Sequence, residues 1–245
     1  MNDFLVLIPC YNEQGAITKL IAEVQAAVPG APILVADDHS QDSTVSLARA
    51  AGAGVLALPH HLGLGGVVQA GYRLAYELGY QYVVRVDGDG QHKPADIPRV
   101  LEALKTSGCE MAIGSRFVEG GGREHSSFLR SIVIAFFRAV LRVILGKPVY
   151  DPTSGFVAVN RAALEVFSHS FPLEYPEIET LVVLQRKRFR FIEVPCSFRA
   201  RTTRRRRRER RASRSRRRRR WRRWDATFAP EAVGRGRCAR APETA

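Results

Sequence analysis

No Cys-x-x-Cys pair occurs in these 245 residues, because Cys10, Cys109, Cys196 and Cys238 are widely scattered. That spacing argues against a disulfide framework or a zinc site and fits a reducing compartment, the cytoplasm. A signal peptide is also missing: the N-terminus has no basic region, and Phe4–Ile8 is too short for an apolar core. The longest candidate for a membrane span, Phe128–Leu145, is interrupted by Arg130, Arg138 and Arg142. No glycine-rich phosphate loop follows the first apolar run, which ends Pro9-Cys10-Tyr11-Asn12-Glu13. This counts against a dinucleotide-binding enzyme and against a sugar nucleotidyltransferase. Charge excess is lacking too, over most of the chain. Up to residue 198 there are 18 Lys and Arg against 20 Asp and Glu, whereas beyond it 20 Arg face four acids. The net charge of +14 therefore belongs to the tail.

What is present is an alternation of short apolar runs with helical periodicity. Phe4–Ile8, Ile33–Ala36, Val55–Leu58, Tyr82–Val86 and Met111–Ile113 read as strands, the first of them stopped by Pro9. Helices are expected over 14–28, from a cap at Asp42 or Ser43 through Ala51, up to about Leu78, and over 96–106. Val157–Val159 and Phe191–Pro195 are further extended segments, with helices over 161–167 and 177–188. The pattern predicts an α/β fold with a mostly parallel sheet. Ligands in such sheets sit beyond the carboxyl ends of the strands, where Glu13, Asp37, Asp38, Asp87, Asp89, Ser115 and Arg116 all fall.

The chain is organised around Asp87-Gly88-Asp89-Gly90-Gln91-His92, which follows one of these strands. Two carboxylates two residues apart can face one cavity if the extended conformation continues. Glycine between them lets the backbone approach a ligand closely. Hard oxygen donors of this kind, with the Gln91 carbonyl two residues on, suit Mg²⁺ or Mn²⁺ holding a diphosphate. A lone Asp-x-Asp is more often a polar turn capping a helix; the other motifs shift that balance.

Six motifs occur in register: Ile8–Glu13, Asp37–Ser40, Leu62–Tyr72, Asp87–His92, Gly114–Phe117 and Asp151–Phe156. Together, over residues 3–201, the chain resembles family 2 glycosyltransferases, in particular the polyprenyl-phosphate mannosyl- and glucosyltransferases. The resemblance implies a nucleotide-diphospho-sugar transferase fold of the GT-A kind and inverting, metal-dependent transfer from a nucleoside-diphosphate sugar to a lipid phosphate. It implies that Pro9, Tyr11 and Glu13 line the nucleotide pocket and that Ala36, Asp37 and Asp38 hold the base or ribose. Asp87, Gly88 and Asp89 would meet the diphosphate, with Asp87, Asp89 and Gln91 on the metal. Asp89 and Arg116 would act at the reacting centre, and Arg116 and Arg130 would hold the acceptor phosphate.

Two departures from the family pattern stand out. His61 occupies a position where the family commonly has Asn, and the usual Gly-x-Ser loop after residue 201 is replaced by an arginine run. Residues 199–223 contain 17 Arg, so a glycosyltransferase domain over 1–201 and a disordered tail over 202–245 are expected. So abrupt a loss of pattern is what a shift of coding frame near residue 203 produces. The tail would bind polyanions without specificity, and a nucleic-acid- or lipid-binding protein is the rival reading. Along Phe128–Leu145 the three arginines share a 120° arc opposite an apolar face. That suits either a helix lying in the cytoplasmic face of a membrane or a core helix with arginines at its solvent edge.

Overall fold

The computed structural model describes residues 3–118, 142, 146 and 148–199, and all of these lie in one compact unit. The expectations for Arg130, for the helix over 128–145 and for the tail from 202 fall outside the described residues.

Seven strands form one sheet in the order β3-β2-β1-β4-β6-β5-β7. They are β1 (Phe4–Cys10), β2 (Ile33–Asp37), β3 (Gly54–Ala57), β4 (Tyr82–Arg85), β5 (Met111–Ser115), β6 (Val157–Asn160) and β7 (Phe191–Pro195). All neighbours run parallel except β6, which is antiparallel to both β4 and β5. The start of β6 thus lies at the same edge of the sheet as the ends of β4 and β5. This brings the turn 151–156 to the carboxyl ends of the parallel strands.

Pro9 does not stop β1, contrary to the expectation from the sequence; the strand continues to Cys10. Pairing of β1 with β4 has already ended at Leu7, while pairing with β2 runs on to Cys10. The Pro9 carbonyl accepts the Gly88 N–H at 3.2 Å, so its polar side faces the loop after β4. The missing N–H is therefore directed where no ladder partner waits.

Helices cover both faces of the sheet. Leu5 and Leu7 pack on one side with α3 (Leu64–Glu77), α5 (Arg161–His169) and α6 (Pro176–Arg186). Val6 and Ile8 pack on the other with α1 (Ile17–Ala27), α2 (Thr44–Ala50) and α4 (Ile97–Ser107). The period of two along a strand buried on both faces explains its unbroken apolar run. Each such side chain contributes about 1.5–3 kcal/mol by burial. Of the two capping candidates before α2, Ser43 takes the N-cap position without a side-chain bond, while Asp42 Oδ1, one residue earlier, accepts the Thr44 N–H at 3.0 Å. Pro94 opens a turn of 3-10 helix, Pro94–Asp96, that leads into α4.

Candidate functional site

Two loops at the strand ends are stitched together by side chains. The Asn12 N–H donates to Ser40 Oγ at 2.9 Å, and the Gln41 N–H returns to Asn12 Oδ1 at 2.8 Å. The Glu13 N–H donates to Thr44 Oγ1 at 2.9 Å, while its carbonyl accepts the N–H groups that begin α1. Asn12 and His39 take positive φ, 55° and 63°, to allow these exchanges.

Asp37 and Asp38 are both 2% exposed but are committed differently. Asp38 accepts the Leu62 N–H at 2.7 Å and the Gly63 N–H at 2.9 Å, with His61 Nδ1 at 2.8 Å from the same carboxylate. It thereby ties the end of β2 to the loop that precedes α3. Asp37 Oδ2 accepts the Ser40 N–H at 2.9 Å, and among the described residues its buried Oδ1 has no hydrogen-bond partner. The Tyr11 ring lies 4.4 Å from that of His61, tilted by 35°. The residue that departs from the family pattern is therefore in contact with both Tyr11 and Asp38.

Cys10 is buried among acids from three of these loops. Burial first, then the charges of Glu13, Asp37, Asp87 and Asp42, push its thiol well above the ordinary value. The sulfur stays protonated, which suits its place as packing. A Cβ on Gly88 would stand 2.5 Å from Cys10 Sγ and 2.9 Å from the Pro9 carbonyl. Only glycine lets the loop after β4 approach the end of β1 so closely.

Asp87 belongs to a second group as well. Its Oδ1 is buried with no hydrogen-bond partner among the described residues and lies 3.7 Å from Arg85 Nε. Arg85, 2% exposed, donates to the Gly155 carbonyl at 2.8 Å and stands 3.5 Å from Glu177 at the start of α6. Burial lowers the Arg85 pKa, but Asp87, Tyr72 and Glu177 more than restore it, so the guanidinium remains charged. Burial also raises the Glu177 pKa, against the pull of Arg85. His92 Nδ1 accepts the Asp87 N–H at 3.2 Å, and its ring stacks on Phe156 and meets Phe198 edge-on. Burial, with Arg85 and Arg116 adding to it against Asp87, lowers its pKa to about 4. This histidine is a neutral support for the Asp87 backbone.

Asp89 accepts the Gln91 N–H at 3.0 Å, and the Gln91 carbonyl accepts the Arg199 N–H at 2.7 Å. The donor chemistry fits a hard divalent cation: Asp87 carries an unbonded oxygen, and Asp89 and Gln91 follow on the same turn. Among the described residues no three His, Cys, Asp or Glu side chains converge into a closed cage. Nucleotide phosphates and water would complete the shell, as Mg²⁺ accepts readily.

Arg116, at the end of β5, is clasped by Asp151. Its Nε donates to Oδ2 at 2.8 Å, its Nη2 to Oδ1 at 2.7 Å, and its own N–H to Oδ2 at 3.0 Å. Nη2 also reaches Thr153 Oγ1 at 2.9 Å. The structure thus gathers Pro9, Tyr11, Glu13, Ala36, Asp37, Asp38, Asp87, Gly88, Asp89, Gln91 and Arg116 at one edge of the sheet. Sequence reasoning gave no role to Arg85, His92, Glu177 or Glu193, the last of which accepts the Tyr150 and Asp151 N–H groups behind the clasp. Arg85 carried a signal, a lone charge inside an apolar strand; Glu177 and Glu193 carried none.

A sequence model of Glycosyl transferase family 2 matches residues 5–167. The polyprenol monophosphomannose synthase of Mycolicibacterium smegmatis is 35% identical over 170 residues, 66% of this chain and 63% of that protein. The undecaprenyl-phosphate mannosyltransferase of Micrococcus luteus is 32% identical over 207 residues, 79% of this chain and 82% of that protein. Among solved structures, glucosyl-3-phosphoglycerate synthase from Mycobacterium tuberculosis, in complex with Mn²⁺, UDP and glucosyl-3-phosphoglycerate, is similar with a TM-score of 0.64. It is 25% identical, and the match covers 82% of this chain and 72% of that one.

Proposed function

The chain belongs to glycosyl transferase family 2, and on that premise we propose that it moves a sugar from a nucleoside diphosphate to a polyprenyl phosphate, with inversion at the anomeric carbon. The observation that supports this reading is that Asp87 and Asp89, after β4, and a clasped Arg116, after β5, lie at the same carboxyl edge of the sheet. The acceptor class follows the names of the two mannosyltransferase relatives, and mannose is the first sugar to test.

Charge balance explains what each part does. As the sugar leaves, negative charge builds on the β-phosphate and positive charge on the anomeric carbon. A divalent cation on Asp87 and Asp89, as Mn²⁺ accompanies UDP in the synthase, would neutralise the diphosphate. Tyr11, Glu13, Asp37 and the loop held by Asp38 wall the nucleotide pocket. Arg116 meets a phosphate oxygen at the reacting centre. A phosphate monoester is already ionised near pH 7, so it attacks without a general base. Its oxygen bonds to the anomeric carbon while the bond to the β-phosphate breaks on the opposite face, releasing nucleoside diphosphate. One displacement inverts the centre.

A lipid acceptor places the reaction at the cytoplasmic face of a membrane. Among the described residues no helix is long and apolar enough to cross one. The test is incubation with GDP-, UDP- or dTDP-sugars, Mn²⁺ and polyprenyl phosphate in liposomes. Sugar should appear in the lipid fraction as the opposite anomer to the donor. Nucleotide release without any glycolipid would sink the acceptor assignment, and retention of configuration would sink the single displacement.

A further inference from the structure

Arg116 is held unusually fully for a group expected to meet a ligand. The Asp151 carboxylate accepts three N–H bonds from this one residue, from its backbone, Nε and Nη2. The side chain of Asp151 is fully buried, and that of Arg116 is 16% exposed. Asp151 is itself fixed from behind: Glu193 Oε1 accepts the Asp151 N–H at 2.7 Å, and Oε2 accepts the Tyr150 N–H at 2.8 Å. Ser154 Oγ donates to the Gly114 carbonyl, closing the same turn against β5. Thr153 takes the other Nη2 hydrogen, and the Phe198 ring lies 5.0 Å from the guanidinium carbon. Among the described contacts, these leave Nη1 as the part of the fork without a hydrogen-bond partner.

We propose that Asp151 is a positioning residue: with Glu193 behind it, its carboxylate fixes the Arg116 fork so that Nη1 is presented to a phosphate oxygen of the substrates. Asp151 touches no substrate and acts only through Arg116. The proposal rests on the reading of the site as one that transfers a sugar from a nucleoside diphosphate to a lipid phosphate. A carboxylate that grips one edge of a guanidinium leaves the opposite edge as a directed donor, with its rotamer freedom already lost before substrate arrives. Misplacement of such a group by about 1 Å can cost around 10²-fold in rate.

The experiment is a double-mutant cycle on the full chain, with Asp151→Asn, Arg116→Ala and the pair together, read as kcat and donor KM for transfer to polyprenyl phosphate. Asp151→Asn should lower kcat by about 10- to 100-fold and change donor KM by less than about threefold. Added to Arg116→Ala, it should cost less than about twofold more, because there is no longer a fork to aim. Multiplying losses in the double variant, or wild-type kcat in Asp151→Asn, would overturn the proposal. Should Asp151→Asn fail to fold, Arg116→Lys replaces it, keeping the charge but losing the two-point grip. Wild-type kcat in that variant would be equally fatal. If the wild-type chain transfers no sugar, the functional reading fails by itself. The same cycle on calorimetric affinity for inorganic pyrophosphate with Mn²⁺ then decides the role of Asp151: non-additive losses support it, and additive or absent losses overturn it.

Discussion

Gly155→Ala is the substitution whose consequence can be worked furthest from the structure. A Cβ at this position would stand 2.0 Å from Asp87 Oδ2 and 2.6 Å from its carboxyl carbon. An ordinary carbon–oxygen contact needs about 3.2 Å, so the turn and the carboxylate must part by roughly 1 Å. Neither gives easily, since the Gly155 carbonyl accepts from buried Arg85 and the Asp87 N–H donates to His92. Overpacking of this kind costs about 1–3 kcal/mol, a fall in Tm of roughly 2–12 °C for a domain this size. The larger effect should be on chemistry, because a displacement of about 1 Å at a carboxylate proposed to hold the metal is worth around 10²-fold. Gly71→Ala is the control. Its Cβ would meet the flexible end of Leu7 at 2.5 Å, on the face of α3 packed against β1. It should lower Tm while leaving kcat within about threefold, as expected of a change confined to core packing. Transfer rate, Mn²⁺ dependence and melting would be measured for both. Wild-type kcat and Tm in Gly155→Ala would show that the turn does not set the carboxylate, and the reasoning would be wrong.

Three further outcomes are expected. Asp89→Ala should abolish metal-dependent nucleotide binding while preserving the circular dichroism spectrum; calorimetry showing unchanged Mn²⁺-dependent binding would remove Asp89 from the site. Asp38→Asn weakens the part-buried hydrogen bonds that a buried carboxylate accepts from this loop, at a cost of about 1–3 kcal/mol, and should speed hydrogen exchange at Leu62 and Gly63. Unchanged exchange there would refute the tie. His92 has a folded pKa of about 4, below its unfolded value of about 6.5, so the unfolded chain binds the proton first on acidification. Stability should fall as pH drops from about 6.5 towards 4, by up to about 3 kcal/mol, and urea titrations of His92→Gln should show a shallower slope over that window. Equal slopes for the two proteins would mean that the imidazole is not buried neutral.

The sequence by itself determined the alternation of strands and helices, because those signals are complete within about ten residues. Pattern in Tyr82–Val86, followed by Asp87–His92, was enough to locate the acidic turn at a strand end. Six motifs in order were enough to reach the family. Only the tertiary structure decided what those residues touch. Asp38 could be placed at the carboxyl edge of the sheet from its position after β2, but its bonds to Leu62 and Gly63 depend on where the loop before α3 lands. Arg116 and Asp151 are 35 residues apart, and Arg85 reaches Gly155 across 70. Those pairings exist because β6 enters the sheet antiparallel between β4 and β5, carrying the turn 151–156 to their carboxyl ends. Strand order is not written in the periodicity of any one segment. It is fixed when all the apolar faces are buried at once, and the grip on the guanidinium and the carboxylate is fixed with it.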